Sequence, residues 1–326
     1  MSVDTLRDYE AVLAYMNMGD DYLVVSHVQP DGDAISSTLA AAWLLRKLGK
    51  RVTLVNEDPV PDRLCFLSGS ELIQPLNALD SKRSFSRIIA VDCADFKRIG
   101  KVAERFADGY ELLNIDHHPT NNLYGVCNLV VPDAAATAQI LYELIVASGH
   151  PLELDAAEML FTGLLTDTGG FRYSNTDTRV MQTSAKLLEV GVNGHLIADR
   201  LLETMTMPQL KLLRLGLNRM QFHYDDRVCS MLITPEDMDE IGAAPDDLEG
   251  LVNYARNVEG VEAGVLFKGM RDGSVKASLR SGGLLDVAAI ASAFGGGGHI
   301  RAAGCRLDGT EAMKSLLTAV GEALET

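Results

Sequence analysis

The stretch YLVVSHVQPDGDAISS, residues 22–37, decides how this chain is read. It opens on a short β-branched run, Tyr22–Ser26, passes through His27 and the turn Pro30-Asp31-Gly32-Asp33, and continues into Ala34–Leu48, which reads as a helix ended by Gly49. A strand that feeds a helix through a polar turn is half of a parallel α/β unit. Reading outward, Arg51–Asn56, Arg87–Val91 and Glu111–Ile115 are strand-like, and Ala134–Ala147 and Ala156–Leu165 are helix-like. The expected class is α/β, with a parallel sheet covered on both faces over residues 1–175.

The texture then changes. Residues 176–220 are mostly helical and rich in Leu and Met, with Pro208 starting or kinking a helix. They read as a bridge, extra helices of the first domain being the alternative for their first half. The pattern restarts over 221–326 as a smaller α/β domain. Arg227–Ile233 is strand-like and Asp246–Asn257 helical. Val261–Gly269 and Val275–Arg280 form a hairpin around Arg271-Asp272-Gly273. A helix at Asp286–Phe294 leads into Gly295-Gly296-Gly297-Gly298-His299, followed by the strand Gly304–Leu307 and a last helix, Thr310–Leu324.

Composition narrows the function. The chain has 326 residues and a formal charge of −16. A protein that grips long nucleic acid needs a basic face, so any nucleic-acid substrate should be short and held by a few local cations. No stretch approaches the ~20 apolar residues that span a bilayer. The acidic, amphipathic start lacks the pattern of a signal peptide, so a cytoplasmic location without membrane association is expected. The five cysteines are scattered and odd in number, against a disulfide framework or a zinc ribbon.

Polar residues that end strands carry the chemistry. The first strand delivers His27, Asp31 and Asp33, the third runs into Asp92, and the fourth ends in Asp116-His117-His118. The following helical region ends in Asp167. In open parallel sheets, ligands bind beyond the carboxyl ends of the strands, so these side chains should share one rim. His27, Asp31, Asp33, Asp92, His117 and Asp167 offer four carboxylates and two imidazoles. So many like charges in one place would raise pKa values and cost stability unless cations offset them. Two divalent ions satisfy that requirement. Carboxylate and imidazole donors without thiolate suit Mn²⁺ best, with Mg²⁺, Co²⁺ or Fe²⁺ as alternatives. Such ions generate a nucleophile from water at neutral pH and offset phosphoryl charge.

These residues resemble the DHH phosphoesterase family. The family's first four motifs look like SHVQPDGDAISS, AVDCAD, NIDHHPTN and GLLTDTGGFRYSNT. SLRSGGLLDVAAIASAFGGGGHIRAAG is similar to the DHH-associated domain. The resemblance covers nearly the whole chain. It implies a DHH catalytic domain over 1–175, a helical linker over 176–220 and a substrate-binding domain over 221–326. It implies one metal on His27, Asp31 and Asp92 and another on Asp33, Asp92, His117 and Asp167, bridged by Asp92. Asp116 would orient a metal ligand, and His118 would face the scissile phosphate as oxyanion contact or leaving-group acid. It also allows a homodimer.

The second domain should hold the rest of the substrate. Arg280, beside Ser281, can clamp a phosphate bidentately. By themselves the glycines read as a flexible helix-ending loop; the resemblance implies that Gly296, Gly297 and Gly298 let backbone approach a ligand and that His299 donates to a terminal phosphate. Arg172 reaches substrate or sits in a structural ion pair. A cleft between a metal domain and a phosphate clamp would measure substrate length. His150, His195 and His223 read as structural or surface residues, and Trp43 and the cluster Met205, Met207 and Met220 as core packing. The acidic stretch 236–240 reads as solvated surface.

The resemblance implies hydrolysis of phosphate esters in short nucleotides: oligoribonucleotides of a few residues and the 3′-phosphate of 3′-phosphoadenosine 5′-phosphate (pAp), with pApA as a further candidate. Alternatives are a cyclic di-AMP phosphodiesterase, an inorganic pyrophosphatase or exopolyphosphatase of the same fold, and a non-enzymatic nucleotide sensor.

Overall fold

The computed structural model describes residues 3–283 and 285–325, in two units, Met1–Thr204 and Met205–Thr326. The segment 176–220 falls partly in each. All five cysteines are unpaired. Among the described residues no helix is long and apolar enough to cross a membrane.

The first unit runs α1 (Val3–Met18), β1 (Tyr22–Val25), α2 (Gly32–Lys47), β2 (Val52–Asn56), β3 (Ile73–Pro75), β4 (Phe85–Val91), β5 (Phe106–Asp116), β6 (Cys127–Val130), α3 (Thr137–Ala147), α4 (Leu154–Asp167), α5 (Thr178–Val190) and α6 (Gly194–Ala198). Its six strands form one sheet in the order β3-β2-β1-β4-β5-β6, and every pairing is parallel. The order reverses between β1 and β4, which is where such sheets open a crevice at their carboxyl ends. Alternate strand residues go to opposite faces. Val24, Ile89 and Val91 pack under α1–α4, around Tyr9, Trp43, Leu141 and Leu160. Leu23, Val25, Ile88 and Ala90 face the other way.

That second face departs from expectation. It is covered by a 3₁₀ segment, Phe96–Arg105, and by Leu76 and Leu79, with no α-helix among the described residues. Gly100, at φ 68°, breaks the segment in the middle and prevents a helical crossover between β4 and β5. Strands β3 and β6 were not legible in the sequence. At three and four residues they are too short to show alternation.

The second unit runs α7 (Met207–Asn218), β7 (Gln221–His223), β8 (Val228–Ile233), α8 (Pro235–Ile241), α9 (Leu251–Arg256), β9 (Ala263–Gly269), β10 (Val275–Ser281), α10 (Val287–Ala293), β11 (Gly297–His299), β12 (Ala302–Leu307) and α11 (Thr310–Glu325). The sheet order is β11-β12-β10-β9-β8-β7, parallel only between β8 and β9. Pro208 starts α7 inside a capping box made by Thr206 and Gln209. β9 and β10 form the expected hairpin. The helix read over Asp246–Asn257 is broken at Gly250, φ 76°, into a 3₁₀ turn and α9.

Two local expectations are corrected. Met205 and Met207 are 46 % and 63 % exposed, because they flank the cap of α7; only Met220 packs on a core. Asp237, in the stretch read as solvated surface, is buried. It accepts from Arg219 through both oxygens and closes a capping box with Thr234, so it locks α8 to the end of α7. Within the glycine run, Gly297–His299 pair with β12 as an edge strand. A Cβ on Gly298, at φ 142°, would meet Ala302 O at 2.5 Å, so only glycine fits that approach.

Candidate metal centre

The site forms where β1, β4 and β5 end. Each strand hands its last residues to a tight turn, and each turn is pinned. Asp31 caps α2: its Oδ1 accepts from the amides of Asp33 and Ala34, both at 3.1 Å. That leaves Oδ2 facing His27 Nε2 at 3.8 Å. The His27 ring is oriented by Nδ1, 2.8 Å from Val28 O, which presents Nε2 to the site. Asp92 adopts φ 51°, a left-handed backbone that aspartate tolerates better than most residues.

Asp92 lies between two histidines. Its Oδ2 is 3.6 Å from His27 Nε2, and its Oδ1 is 3.6 Å from His117 Nε2. His117 is oriented through Nδ1, 3.2 Å from Ala134 O, and its Nε2 also lies 3.2 Å from Asp167 Oδ2. Asp33 is fully buried. It takes the amides of Thr137 at 2.6 Å and Ala138 at 3.0 Å, and so caps α3 from α2. Among the ligand groups with donor atoms within 4.8 Å of one another are His27, Asp31 and Asp92, then Asp33, Asp92 and His117, and also Asp92, Asp116 and His118. Asp167 adjoins the second. All six metal-ligating candidates read from the sequence are thus brought together, with Asp92 common to these groups.

The titration behaviour fits a cation site. Burial, then the charges of Asp92 and Asp167, push the Asp33 carboxyl well up. Burial alone would raise Asp92, but the His27 hydrogen bond and the surrounding imidazoles hold it down. Burial would lower His27 and His117, yet their carboxylate neighbours raise both. Protons shared among packed carboxylates and imidazoles are what divalent ions replace. The donor set fits a pair of such ions, all oxygen and imidazole nitrogen.

Asp116 meets His118: its Oδ1 is 2.8 Å from His118 Nδ1. Its Oδ2 accepts from Asn121 Nδ2 at 2.6 Å. Asn121 and Thr137, whose hydroxyl donates to Asp92, were not singled out in the sequence. The only available signal was their place directly after NIDHH and at the start of the following helix.

Arg172 is exposed, and its Nε donates to Gly169 O at 2.6 Å within its own loop. In the second unit, Arg280 lies on β10 between Gly264 and Ala302, with Nη1 donating to Leu279 O at 3.0 Å. Ser281, expected to contact substrate beside it, is buried and donates to Leu285 O at 2.8 Å. Neighbours on a strand face opposite sides, which separates the Ser281 hydroxyl from the Arg280 side chain.

The fold and this cluster define a metal-dependent α/β phosphoesterase. Residues 21–164 match the DHH family N-terminal domain, and residues 227–326 match the DHHA1 domain. A bifunctional oligoribonuclease and PAP phosphatase, NrnA of Thermus thermophilus, is 36% identical over 92% of this chain and 89% of its own. Its namesake in Bacillus subtilis is 25% identical over 90% of this chain and 91% of its own. An exopolyphosphatase-related protein from Bacteroides fragilis superposes with a TM-score of 0.87 at 26% identity, over 98% of this chain and 96% of that one. The chain belongs to the DHH family, with the NrnA proteins among its relatives.

Proposed function

We propose that this chain hydrolyses phosphate esters in very short nucleotides: oligoribonucleotides of a few residues and the 3′-phosphate of pAp. The observation that carries the reading is Asp92, whose two carboxylate oxygens each face a different histidine Nε2 at 3.6 Å. A carboxylate so placed can serve two ions at once. His27, Asp31 and Asp92 would hold one, and Asp33, Asp92, His117 and Asp167 the other, Mn²⁺ being the ion that best suits this donor set. Such a pair, when bound, activates water and stabilises charge on the phosphoryl group.

The chain's own residues do the rest. The Asp116 carboxylate holds the His118 ring by Nδ1, so that Nε2 can meet a phosphoryl oxygen or pass a proton to the leaving oxygen. Asn121 keeps Asp116 from turning. Arg280, His299 and the backbone of Gly296–Gly298 would bind the remainder of the substrate, with Arg172 as an additional phosphate contact. The net charge of −16 opposes long polyanions and supports a short substrate.

The test is a panel of pAp, pApA, cyclic di-AMP, pyrophosphate, RNA two-mers to five-mers and a 20-mer, each with added Mn²⁺. Turnover of pAp and the short RNAs, with the 20-mer much slower, is expected. Turnover of pyrophosphate in preference to all nucleotides would overturn the reading.

A further inference from the structure

The 3₁₀ segment after Asp92 is held against the site more tightly than a surface connection requires. Val28 N donates to Arg98 O at 2.8 Å, and Lys101 N donates to Glu57 Oε2 at 2.5 Å. Between them Gly100 sits at φ 68°, where a Cβ would run into the Glu57 carboxylate and come within 2.6 Å of Val28 Cγ1. Asp95 caps the turn, accepting from Lys97 N at 2.8 Å. The backbone of Arg98 is therefore fixed to the residue that follows His27.

The guanidinium placed there has no carboxylate partner among the described residues. Seven other arginines are in ion pairs with carboxylates. Arg98 is exposed, and among the described residues its side chain makes neither an ion pair nor a hydrogen bond. An uncommitted planar cation beside a phosphoester site matches a phosphate dianion.

We propose that Arg98 is a substrate-binding residue that receives a phosphate other than the one being cleaved, such as the 5′-phosphate of pAp or pApA. This rests on the reading of the site as a nucleotide phosphoesterase. The reacting phosphate belongs at Asp92 and His118, and Arg98 lies at the edge of that cluster beside His27. The alternative is that Arg98 only balances the carboxylates, in which case it would act on metal affinity.

The experiment uses the full chain loaded with Mn²⁺ and compares Arg98→Met and Arg98→Lys with the parent. Substrates are pAp, pApA and bis(p-nitrophenyl) phosphate, which has no second phosphate; Mn²⁺ affinity is measured by calorimetry. Arg98→Met should raise KM for pAp and pApA about tenfold or more, the scale of a lost charged hydrogen bond. It should leave kcat, the KM for the aryl diester and Mn²⁺ affinity within about twofold, and Arg98→Lys should recover part of the loss. Equal losses on all three substrates, weakened Mn²⁺ binding or an unchanged KM would each overturn the proposal. If the parent cleaves the aryl diester but neither nucleotide, the nucleotide reading itself fails, and Arg98 falls with it. If the parent cleaves both nucleotides and Arg98→Met matches it, only Arg98 fails.

Discussion

The Thr137 hydroxyl donates to Asp92 Oδ1 at 3.1 Å, while the Thr137 amide donates to Asp33 Oδ2 at 2.6 Å. One residue at the start of α3 thus fixes two carboxylates that come from β4 and α2. The Asp92 carboxylate can turn about its Cβ–Cγ bond, and this hydrogen bond holds the rotation at which its oxygens face His27 and His117 separately. Thr137→Val keeps the shape and the amide but loses the hydroxyl. Residues supporting metal ligands typically contribute about 10- to 100-fold in metal affinity or activity. Thr137→Val should weaken Mn²⁺ binding by that order in calorimetry, and Thr137→Ser should restore it. Unchanged affinity in the valine variant would remove Thr137 from the site.

Asp92→Ala tests the shared ligand. Two ions that lose their common carboxylate lose both affinity and spacing. Several kcal/mol of transition-state stabilisation are at stake, on the order of a thousandfold in rate or more. Turnover of pAp should vanish while far-UV circular dichroism stays that of the parent. A variant that retains near-normal turnover with metal bound contradicts the shared role.

Asp116→Asn separates the positioning of His118 from metal binding. The amide can no longer fix the imidazole through a charged acceptor, so His118 loses its set tautomer and direction. A fall in kcat of about 10²-fold or more is expected, with Mn²⁺ stoichiometry and affinity retained. Loss of bound metal in this variant would place Asp116 among the ligands.

Gly163→Ala tests how closely α4 approaches the site. A Cβ there would lie 2.6 Å from Asp33 Oδ1 and 2.5 Å from Ala138 Cβ. Both neighbours are buried and hydrogen-bonded, so they can give little. Overpacking of this kind costs about 1–3 kcal/mol. Urea unfolding should show that loss, with a parallel loss of Mn²⁺ affinity because Asp33 must move. A variant as stable as the parent would show that α2 and α4 separate easily.

The pH dependence of metal stabilisation follows from the titrations. Asp33 is raised by burial and by Asp92 and Asp167; Asp167 is raised by burial despite His117. His117 is raised by Asp167 and its other carboxylate neighbours against the effect of burial. Groups raised in the folded chain contribute stability that is complete below their unfolded values, about 3.9 for Asp and about 6.5 for His. That contribution is lost as pH rises through the folded values. The depressed Asp92 behaves oppositely, its contribution being lost only on acidification. The metal-free chain should therefore lose stability between about pH 5 and pH 8, and Mn²⁺, which competes with these protons, should raise Tm more at the upper end. A larger metal-induced rise at pH 5 than at pH 8 would contradict this.

Much of the site was legible because its residues stand next to strands that announce themselves. Val24, Ile89 and Ile115 belong to β-rich runs, and the Asp and His that follow them can only emerge at the carboxyl edge of a parallel sheet. Asn121 and Thr137 were not legible. Their roles depend on where a turn or a helix end meets Asp116, Asp92 and Asp33, and one polar residue in a turn or at a helix start looks like any other. The Asp237–Arg219 pair was hidden for the same reason, since an acidic run in sequence does not reveal which acid points inward.

Local order along the chain, then, determined the α/β class, the hairpin of the second unit and the identities of six ligand candidates, because strand periodicity and turn chemistry act over a few residues. Only the tertiary structure decided that Asp33 caps α3 and that Asp116 meets His118. It also decided that Arg98 is held to Val28, next to His27, and that among the described residues one sheet face has no α-helix. The Asp33–Thr137 and Val28–Arg98 contacts depend on atoms tens of residues apart meeting within about 3 Å, the reach of a hydrogen bond. No sequence spacing encodes such a distance.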